Sequence, residues 1–445
     1  MRPPAGTPTR AVQTFERRRT FRLPFSDVPG PFGYQPLDTA LDGRPGEQQV
    51  RGMRAFWWDG FWASVPDTIL LSYLGLFIVA LGGSNGAVGL VTAAGSLFAA
   101  LAFLPGAWTT ERFRHRKLTV LLTGGGVARL ALVGLAIVPL MTDGDTAIWI
   151  VLALVSIRGF FGYFAIPAWT SLTADIVPAS MRGRFLASRN FGMTLPALLS
   201  GIAAGLVLDQ YSNLHGWTIV WSIAALTALL STLAYSRIPE PSGSTAVQAE
   251  QRPGFVREML ADGNFLWYLV GTAVWGIALH AAGPFFTVYM AEELDASATW
   301  IGFLVALPSI TGLAGLIYFG RQMDLRGTRW VLLINGFLIP LLPAAWLVVD
   351  APWQIILINA PGGVFWAGYQ LAVLNLTLVI STPEQRPRYA AAYHGVAFAA
   401  AFAGPLLGGA LIELAGYKLV FALSAVGRLA GTLIMARFVR VRPAV

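Results

Sequence analysis

Twelve separate stretches of this chain stay apolar for about twenty residues each, and nothing else in the sequence constrains the fold as tightly. They fall at about 56–82, 87–108, 118–140, 147–173, 186–208, 216–236, 265–290, 299–320, 330–349, 353–380, 389–413 and 417–438. A helix needs about 20 apolar residues to cross the roughly 30 Å hydrocarbon core of a bilayer. In lipid, only helices and closed barrels satisfy all their backbone polar groups, and barrel strands alternate apolar with polar residues. These windows do not alternate, so the expected fold class is an all-α membrane protein with twelve transmembrane helices. Charge agrees: 12% of the residues are charged, against about 25% in a soluble domain.

The loops between windows alternate in charge. "TTERFRHRKL", "PASMRGRF", "GRQMDLRGTRW", "PEQRPRY" and the C-terminal "ARFVRVRP" are basic. The intervening loops "GGSNG", "TDGDT", "DQYSNLHG", "AEELDAS" and "VVDAPW" carry no Lys or Arg, and Lys418 stands beside the last of the outer loops. The excess of Lys and Arg on cytoplasmic loops predicts a multi-pass protein of the plasma (inner) membrane with both termini cytoplasmic. A net charge of +8 and a pI near 10.0 would suit a nucleic-acid partner, but the basic residues fall in short loops and tails, so the expected partner is the lipid bilayer and not nucleic acid. The chain has no cysteine and four scattered histidines, which points to no metal and no cofactor. The glycine triplet at Gly124 lies inside an apolar window with no strand before it, so it is not a nucleotide loop. No nucleophile motif is present, and an enzyme is not expected.

Residues 1–55 are basic, then rich in Pro and Gly, and read as a largely disordered cytoplasmic tail. Residues 237–263 read as a cytoplasmic linker ending in a short amphipathic helix at about 255–262. The segments on either side, 56–236 and 264–445, are alike. Arg182-x-Arg184-Phe185 recurs as Arg386-x-Arg388-Tyr389 at a spacing of about 204 residues, and the helices that follow read "LPALLSGIAAG" and "AGPLLGGALIE". This repeat predicts two pseudo-symmetric six-helix bundles. Small-residue patches at Gly201 and Gly205, at Gly404 and Gly408, and at Gly427 and Gly431 allow close helix approach; in helices 5 and 11 they are expected where the bundles meet.

With these features, the chain from about residue 56 onward resembles the major facilitator superfamily of secondary transporters. The family loop Gly-x-x-x-Asp-Arg-x-Gly-x-Arg is matched after helix 8 by Gly320, Asp324, Arg326, Gly327 and Arg329. The copy after helix 2 is degraded, with Ala107 for Gly, Glu111 for Asp and Arg114 for Gly. The resemblance implies alternating access around a central cavity lined by helices 1, 4, 7 and 10. Helices 2, 5, 8 and 11 would join the bundles, and helices 3, 6, 9 and 12 would be peripheral. It further implies a cytoplasmic gate: Asp324 docking on the start of helix 5 around Gly183–Arg189, Glu111 on helix 11 around Arg388, and Asp175 holding Arg112.

Within that frame one residue stands out. Asp67 lies midway along the first window, where a charge costs roughly 2.5–3.5 kcal/mol on insertion scales. Arg158 lies at a similar depth in the fourth, so the two are expected to pair as a proton-coupling element; a static pair that only fixes helix packing is the alternative. Ser64, one turn from Asp67, is a substrate-cavity candidate. Arg129 and Arg428 are read as structural, with Arg129 also available as a second partner for Asp67. The second half offers no midplane acid. Its cavity candidates are Trp275, His280, Asn359, Trp366, Tyr369, Gln370 and Asn375, and Gly283-Pro284 should break helix 7. The expected function is secondary transport of a small organic solute by a monomer, proton-coupled, with export favoured. A non-transporting receptor on the same fold and an uncoupled facilitator are the alternatives.

Overall fold

The computed structural model describes residues 28–30, 46–113, 115–178, 180–211, 213–240, 261–381 and 386–440. Most of the expected tail, most of the linker and nearly all of its amphipathic helix lie outside the described residues, as do the side chains of Glu111 and Arg388.

Twelve membrane-length segments follow one another in the chain: α1 (Glu47–Ala80), α2 (Asn85–Phe113), α3 (Arg116–Met141), α4 (Gly144–Ile176), α5 (Arg182–Gln210), α6 (Leu214–Ser236), α7 (Gly263–Glu292), α8 (Ala298–Arg326), α9 (Thr328–Val348), α10 (Gln354–Ile380), α11 (Arg386–Ala415) and α12 (Tyr417–Phe438). Eleven are long and apolar enough to cross a membrane. The remaining one, α10, has 27 residues and no charged side chain. Leucines such as Leu130, Leu226, Leu233 and Leu357 are exposed on the outer faces, where lipid rather than water would meet them. The first helix begins at Glu47, ahead of the apolar window, so its amphipathic start belongs to the helix and not to the tail.

Breaks in the helices have local causes. α7 stops at Ala282 and resumes at Phe285 across Gly283-Pro284, as the sequence led us to expect. α4 turns at Ala165 before Pro167. α3 widens into a π turn at Thr123–Val127, over the glycine triplet. Asp262 caps α7 by accepting from the backbone N–H groups of Asn264 and Phe265 at 3.0 and 3.1 Å. Gly327, at φ +81°, ends α8 in a conformation that a side chain would strain.

The two halves repeat each other in three dimensions. α1 packs on α5 and α6 as α7 packs on α11 and α12, and α2 packs on α4 as α8 packs on α10. The halves join through α2 with α11, α5 with α8, and α1 with α7. Gly201 and Gly205 do lie at this junction, against Gly302 and the Ala298–Thr299 backbone of α8. Gly404 and Gly408 do not. They face His280 and Ala281 of α7 within their own half, while Pro405 and Gly409 meet α2. One residue is 100° of helix rotation, which moves the contact to the neighbouring partner.

The polar contacts between halves gather at the end of the molecule away from the termini, and they obey the same repeat. Asp209, at the end of α5, accepts from the N–H groups of Ala298 and Thr299 at 2.7 and 3.0 Å, at the start of α8. Glu413, near the end of α11, accepts from the Gly86 N–H at 2.8 Å, at the start of α2. Each carboxylate therefore meets the positive end of a helix dipole in the opposite half. Tyr73 adds a bridge from α1, donating to the carbonyls of Gly201 (2.7 Å) and Ala298 (2.9 Å). Replacing both carboxylates (Asp209→Ala with Glu413→Ala) should loosen this end. With spin labels on Asp143→Cys and Asp350→Cys, in a chain that has no native cysteine, the pulsed-EPR distance across the end should lengthen. An unchanged distribution would show that these carboxylates do not hold the halves together.

Candidate functional site

The first half encloses a cavity of about 400 Å³ whose lining includes two carboxylates and three guanidiniums: Asp59, Asp67, Arg129, Arg158 and Arg189. Its walls come from α1, α3, α4, α5 and α6, so α3 and α6, which the resemblance made peripheral, help build it.

Asp67 and Arg158 meet as expected. Arg158 Nη2 donates to Asp67 Oδ1 at 2.6 Å, a short charge-assisted contact. The pair is asymmetric in access: the Asp67 side chain is 59% exposed, that of Arg158 only 20%. A carboxylate so placed can meet water and protons while its partner stays fixed.

A second acid, Asp59, lies eight residues earlier on α1, or about 12 Å along the axis. It is 7% exposed. Its Oδ1 accepts from the Ser231 hydroxyl of α6 at 2.7 Å, and its Oδ2 faces Arg189 Nη2 of α5 at 3.5 Å. Arg189 also donates through Nε to the Phe56 carbonyl at 3.2 Å and lies over the rings of Phe56 and Trp169. Gly60 makes room for it, because a Cβ there would sit 2.5 Å from Arg189 Nε. Asp59 was not picked out in the sequence, and Arg189 entered only as the edge of the segment expected to receive Asp324. Asp59 stands near the start of its window, and Arg189 follows a loop read as surface, whereas α5 begins at Arg182 and carries Arg189 two turns inward. The available signal was spacing, since residues eight apart on α1 return close to one face.

Arg129 is the third cation. Its Nη2 donates to Ser231 Oγ at 3.2 Å, and its buried Nε has no partner. The π turn just before it holds α3 against its neighbours. The Thr232 hydroxyl donates to the Gly125 carbonyl at 3.0 Å, and side chains at Gly124 or Gly125 would press on Ala165 or Thr232. The glycine triplet is thus part of the cavity wall.

The other candidates are placed as follows. Ser64 is buried and turned back on the Phe61 carbonyl at 2.8 Å. Trp275 stacks on Tyr369 at 4.3 Å, with Trp366 edge-on at 5.5 Å. Asn359 donates to the Leu304 carbonyl of α8, and Asn375 to the Leu371 carbonyl of its own helix, both at 2.8 Å. His280 abuts Gly404, and Gln370 is exposed. Arg428 is 2% exposed; its Nε donates to Ser424 Oγ at 3.1 Å and its Nη2 has no partner. None of these lines the cavity of the first half.

Where its side chains are described, the expected gate is paired differently. Asp324 is exposed in the last turn of α8 and, among the described residues, forms no ion pair with α5. Arg326 lies over Trp330, and Arg329 donates to the Ala436 carbonyl at 2.6 Å; Gly320 has open space beside it. Asp175 pairs with Arg116 at 2.6 Å rather than with Arg112, which lies over Trp108.

Comparison with known proteins agrees with this architecture. A family model described as Major Facilitator Superfamily matches residues 58–288 and 269–445. The "Multidrug resistance protein MdtG" of Salmonella arizonae is 25% identical over 387 residues, covering 84% of this chain and 92% of that protein, and MdtG of Salmonella typhimurium matches equally. Among solved structures, the nucleoside transporter NupG superposes with a TM-score of 0.70 at 12% identity, covering 88% of this chain and all of that one. A bacterial homologue of the lysosomal transporter Spinster gives 0.69 at 13% identity, covering 91% of this chain and all of that one. The family match extends over nearly the whole described chain, and the chain belongs to the major facilitator superfamily of membrane transporters.

Proposed function

We propose that the protein is a proton-coupled exporter of small organic solutes, working by alternating access in the inner membrane with both termini cytoplasmic. The observation that carries this reading is the Asp67–Arg158 pair, 2.6 Å apart with its carboxylate open to an intramembrane cavity. Ionisable groups in a membrane interior are costly and commonly mark ion pathways. The multidrug-resistance relatives favour export, and the basic loops favour cytoplasmic termini.

The pair supplies a coupling device. While Asp67 is ionised, it neutralises Arg158 and ties α1 to α4. A proton on Asp67 removes that attraction and frees the guanidinium for another partner. The halves then have reason to rearrange, because an unpaired cation is unfavourable wherever water is scarce. With cytoplasmic termini, the latch of Asp209, Glu413 and Tyr73 would lie on the outer side, which supports reading this conformation as inward-facing. Each proton moved down the membrane potential contributes about 2.3 kcal/mol per 100 mV.

Asp67→Asn should lower pH-driven solute accumulation in proteoliposomes at least tenfold while sparing solute exchange without a gradient. Accumulation at the wild-type level would remove Asp67 from coupling. Ser231→Ala takes a donor from Asp59 and an acceptor from Arg129. It should destabilise the protein by about 1–3 kcal/mol, seen as a lower unfolding midpoint in detergent; a midpoint equal to wild type would show that the hydroxyl bridge carries no stability.

A further inference from the structure

The charges of the cavity do not balance, and the imbalance points to what binds there. Asp67 is matched by Arg158 at 2.6 Å and Asp59 by Arg189 at 3.5 Å. Arg189 is further occupied by the Phe56 carbonyl and two aromatic rings. Arg129 is left over. No carboxylate lies within ion-pair distance of it among the described residues, and its one side-chain hydrogen bond there is to the neutral Ser231 hydroxyl. Two acids against three guanidiniums leave one net positive charge in a membrane-embedded pocket.

A second observation comes from the wall of the same cavity. Tyr235, also in the cavity wall, is 3% exposed and its hydroxyl has no hydrogen-bond partner. Buried donors are seldom left unused. Here two of them, Arg129 Nε and Tyr235 Oη, are buried without an acceptor on residues of one cavity wall. The remaining wall offers aromatic surface from Tyr163 and Trp169.

We propose that this cavity binds an amphipathic organic monoanion, whose carboxylate, sulfonate or phosphonate group is taken by Arg129 with Tyr235 as a second donor, and whose apolar body lies on Tyr163 and Trp169. Arg suits such groups because its planar fork offers parallel N–H donors to paired oxygens. The bound anion brings the pocket to neutrality, which the protein's own two acids do not. The π turn serves this arrangement by holding Arg129 at the wall. The inference rests on reading this cavity as the solute site, and it names the class of solute.

Binding of three matched probes tests it: naphthalene-2-sulfonate, its neutral sulfonamide, and 2-naphthylmethylammonium. The full chain is placed in nanodiscs of zwitterionic phosphatidylcholine in chloride-free buffer, so that neither net-anionic lipid nor chloride competes with the probe, and affinities are read by calorimetry. The sulfonate should bind at least tenfold tighter than the other two. Arg129→Gln should abolish that preference while changing sulfonamide affinity by less than threefold. Arg129→Lys should keep most of the preference, and Tyr235→Phe should weaken sulfonate binding about threefold; these two carry the test if Arg129→Gln does not fold. Equal affinities, a preference for the ammonium, no binding of any probe, or a sulfonate preference that survives Arg129→Gln would overturn the proposal. The measurement uses no gradient, so it fails or succeeds independently of proton coupling at Asp67.

Discussion

The cost of holding charge away from water governs the first half of this protein. A lone ion in the membrane interior is expensive, and removing one member of a buried pair leaves a larger penalty than the pair contributed. The structure answers with matched partners from different helices: Asp67 of α1 with Arg158 of α4, Asp59 of α1 with Arg189 of α5, and Ser231 of α6 between Asp59 and Arg129 of α3. Five helices are tied through one polar cluster. Each tie also makes the helix arrangement sensitive to protonation, since adding a proton to either acid changes which pairing is favourable.

The second half solves its packing with less charge. Its interior is built from aromatic stacks around Trp275, Tyr369 and Trp366 and from amide bonds to carbonyls, as at Asn359. Arg428 is its buried cation, and it has a serine rather than a carboxylate for company. The two halves share a backbone plan but differ inside: among the described residues, the acid–guanidinium pairs of the interior lie in the first. Their junction repeats one device twice, a carboxylate on the start of a helix across the interface, with Asp209 on α8 and Glu413 on α2. Such contacts are individually modest and exposed.

Much of the site was legible before any coordinates. Asp67 and Arg158 announced themselves because each interrupts an apolar window at similar depth, and charge in lipid needs an explanation. Asp59 and Arg189 gave no such contrast, since both stand near window ends where charge is ordinary; only the extra turns of α1 from Glu47 and α5 from Arg182 carry them inward. The glycine triplet was rightly excluded as a nucleotide loop, yet its use as a π turn beside Arg129 depends on the Ala165 and Thr232 contacts made by α4 and α6. The Asp175 partner was misassigned because Arg112 closes α2 while Arg116 opens α3, and which of those two helix ends lies beside α4 is not fixed by position in the chain.

By itself, the sequence determined the all-helical membrane class, the number of spans, the duplication and the existence of an intramembrane acid. All of these follow from local composition and period, which one chain segment carries without reference to another. Only the tertiary structure decided which cation serves which acid, which cavity cation is left without one, and at which end polar contacts tie the halves. Those outcomes depend on distances between helices far apart in the chain, and a rotation of one residue about a helix axis is enough to exchange one partner for another.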